Sequence, residues 1–112
     1  MQQCILWTYT RMIELPEPLA FDWDDGNSRK NDRHGVGAFE AEEVFFNQPL
    51  LLLADHRHSD AEPRFHALGA THAWRLLHIT FTLRERSTRV RVISARDMHH
   101  KERTTYGQAT DG

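Results

Sequence analysis

The chain holds a single cysteine, Cys4, in 112 residues. That excludes an internal disulfide framework and fits a reducing, cytoplasmic compartment. Long apolar runs are missing: the longest, Pro49 to Ala54, falls far short of the about 18 residues that cross a bilayer. Met1 to Cys4 carries no basic side chain and Arg11 interrupts the apolar run that follows, so no secretory leader is expected. There is no Gly-rich phosphate loop, nucleophile elbow or dinucleotide fingerprint, which removes support for nucleotide hydrolysis and acyl transfer. Eight histidines include His56-x-His58 and His99-His100, yet no third and fourth ligand stand at zinc spacing. Neither metal nor cofactor is expected.

What the chain does have is enough for one globular domain with one modest core: three Trp, six Phe and many Leu and Val. Its net charge of −2 conceals an asymmetry. Residues 1–63 carry 5 Lys/Arg against 12 Asp/Glu, while residues 64–103 carry 9 against 3. One acidic and one basic half is the footprint of a basic site facing nucleic acid, or of a basic patch that an acidic protein partner covers. The two are compatible. In the first case the helices bearing Asp24, Asp25, Asp32, Glu40, Glu42 and Glu43 face away from the polyanion; a plain solvated helix face accounts for them equally well.

Residues 1–20 read as an appendage, with Pro16-Glu-Pro18 a short stiff linker and Ile5-Leu6-Trp7 either a strand or a tail. Phe21 to Trp23 suggests a short strand running into a helix that Asp24 caps and Gly35 ends after His34. A second helix is expected over about Phe39 to Phe46, stopped by Asn47 and Pro49. Leu50 to Ala54 reads as a buried strand, Asp55 to Pro63 as a polar loop, and Arg64 to Gly69 as an alternating strand. Leu76 to Arg84 alternates most cleanly, and Glu85-Arg-Ser87 turns it into Thr88 to Arg96. Asp97 is placed to cap a last helix carrying Lys101, Glu102, Arg103 and Tyr106.

The most informative stretch is Arg89-Val-Arg-Val-Ile-Ser-Ala-Arg96, a strand whose polar positions are arginines. Alternation puts Arg89 and Arg91 on one face and Val90 and Val92 on the other. Two guanidiniums about 7 Å apart repel by about 0.6 kcal/mol in water and about 2.4 kcal/mol at an effective dielectric near 20. An anion such as RNA turns that cost into affinity; solubilising arginines on an edge strand are the plainer account. Because antiparallel neighbours lie about 4.7–4.9 Å apart, Arg64, His66, His78, Thr80, Thr82, Arg84, Arg89 and Arg91 merge into one surface. Phe65, Ile79, Phe81, Val90 and Val92 pack under the helices, an α+β layer arrangement with one open sheet face. Arg forks onto phosphate at any working pH and His moves a proton near neutrality, as phosphodiester chemistry requires.

The order Phe21-Asp-Trp-Asp24, Asn27, Lys30-Asn31, His34-Gly35-Val36 and Glu43-Val-Phe-Phe46 resembles the BrnT family of type II toxins. So do Asp55, His58-Ser59, Arg64-Phe65, Leu68-Gly69, Phe81-Thr-Leu-Arg84, Arg89 to Met98, Lys101-Glu-Arg103 and Tyr106. The likeness covers about residues 21–108, leaving 1–20 as an extension and 109–112 as a short tail. Departures are Arg33 for the family's Lys, Gly37-Ala38 for its helix-capping Ser-Phe, Pro63 for an acidic residue, and His99-His100 for Ser-Arg. The resemblance implies a RelE-like fold: two N-terminal helices and a C-terminal helix on a curved, mainly antiparallel sheet of four to five strands. It further implies a ribonuclease that arrests translation, neutralised in a hetero-oligomer by a BrnA-type antitoxin through which alone DNA is contacted.

On that footing the chemistry is metal-independent attack of a ribose 2′-hydroxyl on the adjacent phosphate. Arg64 and Arg91 are the expected clamps, and His34 is the proton-transfer residue the family likeness favours. Arg84, Arg89, Arg96, His66, His78 and Thr80 are expected RNA contacts. Each has a structural alternative. His34 suits a helix C-terminus, Arg64 a salt bridge to Glu62 or Asp60, and His66 and His78 an ordinary sheet face, while Thr80 and Thr82 are strand formers first. Arg96 falls on the apolar face by strict alternation and would pair with Asp97 or a helix carboxylate, unless a bulge re-aims it. The competing function is a non-catalytic, basic-faced RNA- or protein-binding module, a decayed toxin.

Overall fold

Asp24 begins the first helix by exchanging hydrogen bonds with Asn27. Its carboxylate accepts the Asn27 N–H at 3.2 Å, and Asn27 Oδ1 accepts the Asp24 N–H at 2.7 Å, a capping box on α1 (Asp25–Arg33). The computed structural model describes residues 5–7, 12–55 and 62–110. His34 closes α1 and Gly35, at φ +71°, makes the left-handed turn out of it. Helix α2 (Ala38–Phe46) starts at Gly37, which offers no side-chain cap, so Glu40 accepts the Gly37 N–H at 3.2 Å instead. The expected fourth and fifth elements follow as β3 (Leu51–Asp55) and β4 (Arg64–Ala70), then β5 (Leu76–Arg84) and β6 (Arg89–Asp97).

These four strands form one antiparallel sheet in the order β3-β4-β5-β6. Phe21 adds a parallel bridge to Val90 along the β6 edge, with Asp22 N–H on Val90 O at 2.9 Å and Val90 N–H on Ala20 O at 2.8 Å. Strands β1 (Ile5–Trp7) and β2 (Met12–Glu14) pair antiparallel as a separate ribbon, and Leu15 just after it is buried in the core.

The sheet buries both faces unequally. On one, Ala41, Val44 and Phe45 of α2 meet Leu52, Ala67, Ile79, Phe81, Val90, Val92 and Ala95, all fully buried. Phe45 stands edge-on to Phe81, ring centroids 5.1 Å apart. Gly69 admits α2 closely: a Cβ there would stand 2.8 Å from Val44 Cγ1. On the other face α3 (His100–Thr110) covers only one end, through Tyr106 and Met98 against Leu68, with the Tyr106 hydroxyl donating to Pro49 O at 2.6 Å. The architecture is α+β, with α2 on one side of the sheet, α3 on the other, and α1 beside the edge strand β6.

Two local expectations are corrected. Asp97 does not cap α3, because Arg75 takes both its oxygens, Nε at 2.7 Å and Nη2 at 3.1 Å. Glu102 instead accepts the His99 N–H at 2.8 Å, and the helix begins three residues after Asp97. In β6 the pairing slips between Thr80 and Phe81: Phe81 faces Val92, but Thr80 faces Ser94. Ile93 is the extra residue of this bulge, so Val92 and Ala95 are both buried and Arg96 swings to the polar face.

Candidate functional site

The register lays the polar face out in rows. Asp55, Arg64, Thr82 and Arg91 are neighbours across the four strands; Leu53, His66, Thr80 and Ser94 form the next row, and Leu51, Leu68, His78 and Arg96 the third. The third row runs under α3, and the second borders it through Leu53 and His66.

His66 is held from both ends. Its Nε2 stands 3.0 Å from Asp55 Oδ2 and its Nδ1 3.1 Å from Thr80 Oγ1. An ionised carboxylate only accepts, so the ring proton belongs on Nε2 and the lone pair on Nδ1, where the threonine hydroxyl can donate. Carboxylate, imidazole and hydroxyl thus form a continuous proton path. The His66 ring lies against the His78 ring, centroids 4.7 Å apart and tilted by 39°.

His78 is buried, and burial foremost, with the Arg96 and His66 charges, pushes its pKa down to about 4 despite the pull of Glu102. Its ring is therefore neutral at pH 7. Glu102 stands 3.8 Å away and is gripped by Arg96 through two bonds of 2.7 and 2.8 Å. Burial raises the Glu102 pKa, but Arg96, the His99 N–H and the His78 charge outweigh it and hold the carboxyl down to about 2. Between α3 and the sheet lies a cleft of about 300 Å³ lined by Leu53, His66, Leu68, His78, Lys101, Glu102 and Thr105.

The sequence-expected residues come together only in part. Arg64, His66, His78, Thr80, Arg84, Arg89, Arg91 and Arg96 share the polar side of the sheet. His34 does not: it is exposed at the C-terminal end of α1, a helix beside the edge strand β6, where Asn27 donates to Val92 O. Arg91 meets Asp24 at 3.0 Å and Asp22 at 3.4 Å; Arg84 meets Glu62 at 2.9 Å; Arg89 meets Glu85 at 3.0 Å. Of the six helix carboxylates expected to face away, Asp24 reaches the basic face, joined there by Asp22 and Glu62 from outside the helices, while Glu40 pairs with Arg75 at 3.1 Å. His56, His58, Ser59, Asp60 and Cys4 lie outside the described residues, among which no three metal-ligating side chains are grouped.

Asp55, Lys101, Glu102 and Thr105 are site residues that sequence reasoning left without a role. Asp55 carried a signal: it is in phase with Leu51 and Leu53, so extending β3 by one residue places it on the polar face.

A half-open antiparallel sheet face with a carboxylate–imidazole pair among arginines defines a class, an α+β protein equipped for chemistry on phosphodiesters. The comparison with protein families makes that class specific: the family described as "Ribonuclease toxin, BrnT, of type II toxin-antitoxin system" matches residues 23–102. The chain belongs to this family of ribonuclease toxins. A comparison with curated proteins returns no match.

Proposed function

We propose that this toxin is a metal-independent endoribonuclease whose proton-transfer residue is His66. The observation that carries the reading is the Asp55–His66–Thr80 chain of hydrogen bonds on the open sheet face. A ribose 2′-hydroxyl competes with Thr80 for the His66 Nδ1 lone pair and gives its proton to it. The 2′-oxygen then attacks phosphorus and the 5′-oxygen departs, taking a proton from water, to leave a 2′,3′-cyclic phosphate and a 5′-hydroxyl. Arg64, in the row next to His66, and Arg91 beyond it balance the phosphorane charge. Arg84, Arg89 and Arg96 contact the chain of phosphates, and residues 21–108 form the toxin domain. Translation arrest, and neutralisation in a cytoplasmic hetero-oligomer by a DNA-binding, BrnA-type antitoxin, complete the reading by family membership.

The test is RNA cleavage by purified protein beside growth of an inducing host, for wild type, His66→Ala, His34→Ala and Arg64→Ala. His66→Ala loses about 10²–10⁴ in rate and Arg64→Ala about 10²–10³, while His34→Ala cleaves within a few-fold of wild type. The opposite result for the two histidines moves proton transfer to the end of α1. Activity lost in EDTA and restored by zinc overturns the metal-independent mechanism. The pairing of Arg84, Arg91 and Arg96 with carboxylates favours one other reading, a binding module without catalysis. That reading requires intact RNA in the wild-type assay, with binding that weakens smoothly with salt.

A further inference from the structure

We propose that the cleft between α3 and the polar sheet face is a nucleobase subsite, adjoining the proton-transfer position and resting on the ribonuclease reading of it. The shape fits first. At about 300 Å³ the cleft stands at the small end of ligand sites. Its floor is apolar, Leu53 and Leu68, and its wall is the paired imidazoles of His66 and His78. An unstacked base finds there both a platform for its π-face and an apolar floor.

The polar groups fit next. Glu102 Oε1 is saturated by Arg96 Nη1 and the His99 N–H, at 2.7 and 2.8 Å. Glu102 Oε2 receives Arg96 Nη2 at 2.8 Å and keeps a second lone pair, since His78 Nε2 at 3.8 Å is beyond hydrogen-bonding range. His78 Nδ1 is buried with no hydrogen-bond partner among the described residues. A natural protein rarely leaves such a ring nitrogen unanswered. Lys101 and Thr105 stand exposed at the rim. The Watson–Crick edge of every base sets an N–H donor beside a carbonyl or ring-nitrogen acceptor. The donor matches the Glu102 carboxylate, and the acceptor matches the Lys101 ammonium or the Thr105 hydroxyl. Because His66 lines the cleft and also bonds Asp55 and Thr80, a base seated here brings its own ribose 2′-hydroxyl to the proton path.

The test follows the ring protons of His66 and His78 by nuclear magnetic resonance. The probes are the 3′-monophosphates of adenosine, guanosine, cytidine and uridine, with ribose 5-phosphate as the base-less control. At least one nucleotide is expected to shift both rings, and ribose 5-phosphate to leave His78 unmoved. Thr105→Trp, which fills the cleft from an exposed helical position, should abolish the nucleotide shift and raise the KM for RNA about tenfold, the weight of one stacked base. Equal shifts from ribose 5-phosphate and the nucleotides, or a Thr105→Trp protein that responds like wild type, overturn the subsite. Base-dependent shifts in a wild type that leaves RNA intact sustain the subsite and defeat the ribonuclease mechanism; cleavage without such shifts defeats the subsite alone.

Discussion

Asp55 decides which nitrogen of His66 carries the proton. With the carboxylate on Nε2, the lone pair faces Thr80 at 3.1 Å. An asparagine amide at that position can donate to Nε2 and drive the proton onto Nδ1, where it blocks a base. Asp55→Asn should therefore lower the cleavage rate constant by about a hundredfold or more with KM for RNA little changed; an effect confined to KM contradicts the assignment. This residue also marks how far a sequence reading reaches. The charged and His-rich run after Asp55 makes it look like the start of a loop, whereas its pairing with Arg64 makes it the last residue of β3. Alternation alone puts His66 and Thr80 on the polar face, where they stand paired across β4 and β5. Partners such as Arg91 and Asp22, separated by 69 positions, leave no local pattern to read.

Elements were the most legible level. The alternation of Leu76–Arg84 and the Asp24 and Gly35 signals of α1 gave bounds that the structure reproduces. The bulge in β6 was not legible in position, because one unpaired residue among Val92, Ile93 and Ser94 leaves the composition of the strand unchanged. Its effect is large: Arg96 moves from the apolar side to a twofold grip on Glu102, which anchors the start of α3 over the cleft. Gly69 is the matching device on the other face. Gly69→Ala must push Val44 and α2 off the sheet, and should lower unfolding stability by about 1–3 kcal/mol in a urea titration. A neutral result would mean that α2 shifts without strain.

For the whole molecule, the balance of charge couples folding to pH. His78 binds its proton at about 4 in the fold against 6.5 ordinarily, so the unfolded chain protonates first as pH falls. Its contribution is complete above about pH 6.5 and drains away toward pH 4, by about 3 kcal/mol at most. Glu102, held at about 2 against 4.5, acts lower: its contribution is complete above about pH 4.5 and lost as pH falls through 2. Urea midpoints should therefore decline from pH 7 to 5 and again below 4.5, and His78→Leu should remove the upper decline. A wild-type midpoint that stays flat from pH 7 to 5 rejects the burial argument for His78.

Arg91 is already met by two carboxylates, Asp24 and Asp22, delivered by the strand-like segment beside β6. On the proposed reading, RNA reaching that guanidinium would not fill a vacancy; it would enter an exchange in which phosphate evicts a resident anion. The resident is tethered, so it stands ready at high local concentration each time a phosphate lets go. On the ribonuclease reading proposed above, products would leave such a face quickly.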